Sequence, residues 1–191
     1  MKERIFISSV QKELSAERQA LRDYIRSDKL LNQYFEVFLF EDLPASDRDA
    51  GDVFLAEVER SSIYVGLFGR DYGFENSKGI SPTEREFDHA TTRGRTRLIF
   101  VKDSGTRHPK MEKLIAKASK QLIRRRFIDE TDLKAKLYES LLEILQEQGT
   151  LSQLPFMDAA TTATINDISA SAVERFVRRA RGERNFPLEP A

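Results

Sequence analysis

Five short apolar runs recur along the chain, at Arg4–Ser8, Phe35–Phe40, Ile63–Phe68, Arg97–Val101 and within Gln121–Ile128. The stretches between and after them repeat their apolar residues at helical spacing, over about Val10–Arg26, Ala50–Arg60, Ser81–Gly94, Pro109–Ser119 and Glu130–Gln148. Phe35–Phe40 is apolar at nearly every position, as expected of a strand covered on both faces. Regular alternation of this kind marks a parallel α/β sheet. Five βα units predict a flavodoxin-like, doubly wound sheet of five parallel strands in the order 2-1-3-4-5, whose ligands bind beyond the carboxyl ends of the strands where the order reverses. The groups predicted to reach that point are Ser8 and Ser9 after the first strand, Glu41 and Asp42 after the second, and Gly69, Arg70, Asp71 and Tyr72 after the third.

The helix opened by Ser81 carries the strongest local signal. Ser81 reads as its N-cap, Pro82 as its first residue and Glu84 as the third residue of a capping box. Glu84 thus has a structural task, whereas Glu86, on one helix face with Thr83 and Ala90, does not. A right-handed crossover turns that face toward the predicted crevice. Glu86 is the candidate catalytic carboxylate, and the alternative is a solvated residue pairing with Arg85 or Arg93.

Composition narrows the classes. Lysine plus arginine equals aspartate plus glutamate, 31 each, so total charge argues for neither nucleic acid nor an anionic membrane. The basic cluster Arg124-Arg125-Arg126 alternates across its strand, Arg125 opposite to the other two, and reads as a charged sheet edge, which argues against nucleic acid. There is no cysteine, hence no disulfide, no thiolate nucleophile and no sulfur-based zinc site. His89 and His108 lack ligand spacing, so no metal site is expected. With no apolar segment near the roughly 18–20 residues that span a bilayer, a cytoplasmic, non-membrane chain is expected.

The first domain is expected to cover residues 1–149. Residues 150–191 differ: a small-residue run at Ala159–Thr164, a second capping box at Ser171–Glu174, and a short amphipathic helix with Val173, Phe176, Val177 and Ala180 on one face. This helical extension and the linker-like ending Arg184–Ala191 lead us to expect a downstream module of the same protein.

Taken in order, Phe6-Ile7-Ser8-Ser9, Glu17-Arg18, Ile63 to Gly73 and Thr83-Glu84-Arg85-Glu86-Phe87 resemble an uncharacterised N-terminal domain family related to TIR domains and found in bacterial multidomain proteins. The resemblance covers roughly residues 1–148. It implies a TIR-like variant of the doubly wound fold and a signalling setting upstream of ATPase-like or regulatory modules. The wider superfamily includes nucleoside 2-deoxyribosyltransferases, in which a Thr-x-x-Glu helix followed by Gly and a strand supplies the catalytic glutamate. Thr83-x-x-Glu86, then Gly94 and Leu98–Val101, fit that arrangement. TIR-type NAD glycohydrolases also place a glutamate there, although their Ser-x-x-Trp-Cys-x-x-Glu form is absent from a chain without tryptophan or cysteine.

The resemblance implies no required cofactor, with NAD or another nucleotide as substrate or ligand. A carboxylate suits such chemistry because N-glycosidic cleavage passes through an oxocarbenium-like centre that it can stabilise or attack. Ser8 and Ser9 would then hold a phosphate or ribose, or else cap the first helix; Tyr72 would stack on a base, or else anchor its loop. Glu17 falls inside the apolar stripe of the first helix and is expected to form an ion pair with an arginine. Two functions follow: a nucleotide-sensing or signalling domain that cleaves an N-glycosidic bond, or a non-catalytic module for self-association and protein interaction that regulates a C-terminal effector.

Overall fold

The computed structural model describes residues 2–39, 41 and 50–150. Asp42 and the short helix expected after Ser171 lie outside the described residues. The chain divides into two compact units, residues 1–141 and 142–191. In the second, the described residues end a helix closed by Gly149 at φ +68°, with the Thr150 N–H donating to the Leu145 carbonyl at 2.9 Å.

The first unit holds the sheet. Its strands are β1 (Glu3–Ser9), β2 (Phe35–Phe38), β3 (Ile63–Phe68), β4 (Thr96–Lys102) and β5 (Arg124–Phe127), all parallel and ordered 2-1-3-4-5. The helices are α1 (Gln11–Ser27), α2 (Lys29–Tyr34), α3 (Ala50–Arg60), α4 (Pro82–Thr92), α5 (Pro109–Ser119) and α6 (Glu130–Glu147). Only α2 was not expected. Six residues are too few to show helical periodicity, and Asp28 holds the turn by accepting from the Leu30 and Leu31 N–H groups at 3.0 and 2.8 Å.

β3 is buried at all six positions, as a central strand covered on both faces should be. On one face Phe6, Phe38, Tyr64, Phe68, Ile99 and Val101 pack with Val58 of α3, Phe87 and Ala90 of α4, and Met111, Leu114 and Ala118 of α5. The other face carries Ile5, Ile7, Val65, Leu67 and Phe100. Arg124 of β5 donates to Ser119 at the end of α5, whereas Arg125 pairs with Glu139 of α6, so alternation does send neighbouring arginines to opposite faces. Among the described residues no helix is long and apolar enough to cross a membrane.

Candidate active site

α4 is pinned before its chemistry is considered. Phe87 inserts edge-on between Tyr64 and Phe68, with ring centroids 6.3 and 6.2 Å away, and both tyrosine and phenylalanine belong to β3. Burying such rings fixes the rotation of the helix. Thr83, Glu86 and Ala90 are therefore buried with Phe87. Glu86 is 5% exposed and accepts a 2.5 Å hydrogen bond from the Ser8 hydroxyl at the end of β1. Ser8 pairs in register with Gly66, whose missing side chain is matched by close packing: a Cβ there would lie 2.9 Å from Ile99 Cδ1 and 3.0 Å from Tyr64 Cε1.

Glu86 lines a cleft of about 770 Å³ at the carboxyl ends of the strands, a volume suited to a small ligand. Burial raises its pKa from 4.5 to about 7, against the opposing pull of the Ser8 hydrogen bond and of the Arg18 and Arg85 charges. Near neutral pH it exists in both protonation states. Arg18, on α1 and 2% exposed, pairs with Glu41 at 2.6 Å; burial lowers its pKa while Glu41 and Glu86 raise it. The buried Tyr64 hydroxyl lies close to Ser8 and Glu86, and burial, then the Glu86 charge, push its pKa well up against the smaller opposing pull of Ser8. The phenol stays neutral beneath the cleft, where Glu86 is a titrating carboxyl beside the fixed Arg18 cation and the Ser8 hydroxyl.

The loop after β3 is held from two sides. Glu13 of α1 accepts from the Arg70 and Asp71 N–H groups at 2.7 and 2.9 Å, and a Cβ on Gly69 would sit 2.5 Å from that carboxylate. Tyr72 stacks on His108 at 5.7 Å; its hydroxyl accepts from the Ser81 N–H at 3.3 Å and donates to Glu84. The capping box is thus only half formed. Ser81 Oγ accepts from the Glu84 N–H at 3.3 Å, but the Glu84 carboxylate turns to Tyr72 and to Lys117, 3.2 Å away, and the tyrosine oxygen takes the Ser81 N–H in its place.

Seven of the residues expected from sequence line the cleft: Ser8, Ser9, Glu41, Asp71, Tyr72, Thr83 and Glu86. Gly69 and Arg70 do not; their backbone is committed to the Glu13 contact and the Arg70 side chain is exposed. Neither Ser8 nor Ser9 caps α1, whose N-cap is Val10 without a side-chain bond. Tyr72 is an anchor, 3% exposed with its ring face covered by His108, and is not available to stack on a base. Glu17 is buried as expected, but its partner is Lys102 of β4, at 2.5 Å, and not an arginine. Sequence reasoning missed Arg18 as a site residue. The signal was its spacing with Leu14, Leu21 and Ile25, which puts a guanidinium inside the apolar stripe.

A family model for a domain of unknown function, DUF4062, matches residues 4–142. The chain belongs to this family. The match runs from Arg4 in β1 through β5 and takes in every described residue that lines the cleft. No curated protein matches the chain in sequence. Among solved structures, it is similar to the CMP N-glycosidase BcmB of Clostridium botulinum at 10% identity, over 72% of this chain and 99% of that one, with a TM-score of 0.48. A conserved protein from Enterococcus faecalis V583 is 15% identical over 73% and 99% of the two chains, TM-score 0.45. Flavodoxin 1 of Bacillus cereus is 13% identical over 71% and 91%, TM-score 0.39. The flavodoxin-like assignment of this DUF4062 domain rests on its own strand order.

Proposed function

We propose that this DUF4062 domain binds a nucleoside-like or nucleotide-like ligand, NAD among them, in the cleft and hydrolyses its N-glycosidic bond with Glu86 as the working carboxylate. The observation that carries the reading is Glu86 itself: a buried, cleft-lining carboxyl with a pKa of about 7, aimed by Ser8, at the topological switch point. A base of that strength is matched to neutral pH. The ionised carboxylate faces the positive charge that grows on the sugar as the C–N bond breaks. The bonding pair leaves with the base nitrogen, water adds to the anomeric carbon, and the proton lost by that water passes to Glu86 and on to solvent.

A second reading, a non-catalytic assembly module acting on a downstream effector, is favoured by Ile123 and Ile128, which flank β5 and are 95% and 65% exposed. A ligand-observed NMR time course separates the two, run at low and high protein concentration with NAD and a panel of nucleosides and nucleotides. Free base appearing with the wild type and not with Glu86→Gln supports the enzyme. Equal turnover in both proteins removes Glu86 from the mechanism, and no binding at either concentration leaves the assembly module.

A further inference from the structure

The loop between β3 and α4 presents an uncovered aromatic ring at the cleft. Phe74 lines the cleft, is 92% exposed and makes no ring contact among the described residues. The other rings there are occupied: Phe6 and Tyr72 are buried, Phe54 of α3 is half-buried against the core, and His108 lies flat on Tyr72. Phe74 is not carried on slack chain. Before it, Glu13 holds the Arg70 and Asp71 N–H groups, and Tyr72 is fixed by Ser81, Glu84 and His108. After it, Glu75 accepts from Lys110 at 2.6 Å, and Asn76 closes a turn by accepting from the Lys78 and Ile80 N–H groups at 2.9 and 3.1 Å. Lys110 also donates to the Gly79 carbonyl at 2.8 Å, which ties the loop to α5. Between the two anchored stretches Gly73, at φ +84°, makes a turn that a side chain would strain.

A single exposed apolar residue needs no explanation. A ring at the cleft that holds a buried carboxyl, on backbone anchored on both sides, does. Leaving a phenylalanine in water forgoes the stabilisation of burying it, and the anchored backbone lowers the ordering cost when a ligand covers the ring. A flat aromatic partner suits such a surface, because ring faces attract one another and stacking needs no particular donor or acceptor. We infer that Phe74 is the stacking platform for the aromatic ring of the ligand, a nucleobase or nicotinamide, so that the sugar lies toward Glu86 and purines and pyrimidines are both accepted. The identity of the ring rests on the N-glycosidic reading above; the platform stands on the exposure and anchoring of Phe74.

The chain has no tryptophan, so Phe74→Trp in the full 191-residue chain places a single fluorophore on the platform. Titration with AMP and with UMP should quench its emission saturably, whereas ribose 5-phosphate, which has no ring to stack, should not. Ile123→Trp, at a side chain 95% exposed just before β5, should show no saturable quenching by any of the three. By calorimetry Phe74→Ala should bind AMP roughly 5- to 150-fold more weakly than the wild type, the range for one stacked base, while Phe74→Tyr, which keeps the aromatic face, should bind like the wild type. Phe74→Ala should unfold at the wild-type midpoint, because the ring is already in water. Absence of saturable quenching by AMP and UMP, or wild-type affinity in Phe74→Ala, overturns the platform. So does emission that shifts with protein concentration and not with nucleotide, which would make Phe74 a contact between copies. Base release separates the two ideas. Quenching by AMP and UMP without base release by the wild type keeps the platform and removes the N-glycosidic reading. Base release by Phe74→Ala at the wild-type KM does the reverse.

Discussion

Replacing Glu86 by glutamine should stabilise the protein at alkaline pH. Glutamine keeps the size of the side chain and an oxygen to accept the Ser8 hydrogen bond, but it carries no charge to desolvate. The folded pKa of about 7 stands above the ordinary 4.5, which sets the sign. Below pH 4.5 the carboxyl is protonated in folded and unfolded chains alike, and the substitution is nearly neutral. Between 4.5 and about 7 the unfolded chain ionises first, so wild-type stability falls; above 7 the loss is complete. At 1.36 kcal/mol per pH unit the wild type gives up about 3 kcal/mol. Arg18 offsets part of the gain because it loses the nearby carboxylate while keeping Glu41 at 2.6 Å. The net expectation is about 1–3 kcal/mol, or a Tm rise of roughly 2–4 °C per kcal/mol for a chain of this size. Urea unfolding at half-unit steps from pH 5 to 8.5 reads this directly. A Glu86→Gln protein less stable than wild type at pH 8, or a difference that does not change with pH, would refute the reasoning that burial governs this carboxyl.

The surroundings of Glu86 should move its titration in opposite directions. Ser8→Ala removes a donor worth about 1.5–3 kcal/mol to a charged acceptor, so the Glu86 pKa rises; carbon-detected NMR of the side-chain carboxyl that shows no upward move would contradict it. Glu41→Gln leaves Arg18 without its closest anion, strengthens its field on Glu86 and lowers that pKa, seen in the same titration. Tyr72→Phe strands the buried Ser81 N–H and loosens the start of α4, a destabilisation of about 1–3 kcal/mol by chemical denaturation; an unchanged midpoint would mean that the phenol does not hold the cap.

What the sequence reveals here follows the range of the forces involved. Strands and helices depend on neighbours in the chain, so the all-apolar β3 and the Ser81-Pro82 start of α4 are legible, as is the helix face that Glu86 shares with Thr83 and Ala90. The strand order follows from handedness rules that prune the alternatives. Side-chain partners are another matter. Glu84 has a local capping task and leaves it for Tyr72 and Lys117, 12 and 33 residues away; Glu17 finds Lys102 across 85 residues. Local propensity cannot rank a partner that only folding brings near. Arg18 illustrates the intermediate case, since its place in an apolar stripe marks it as paired or functional without naming Glu41.

The pH dependence of base release by the wild-type chain, from pH 5 to 9 with NAD and the nucleotide panel, tests the central claim most directly. If Glu86 works as the ionised carboxylate, the rate rises with a midpoint near its pKa of about 7 and levels off above it. A rate that is flat across that range, or that falls through neutrality, would contradict the account.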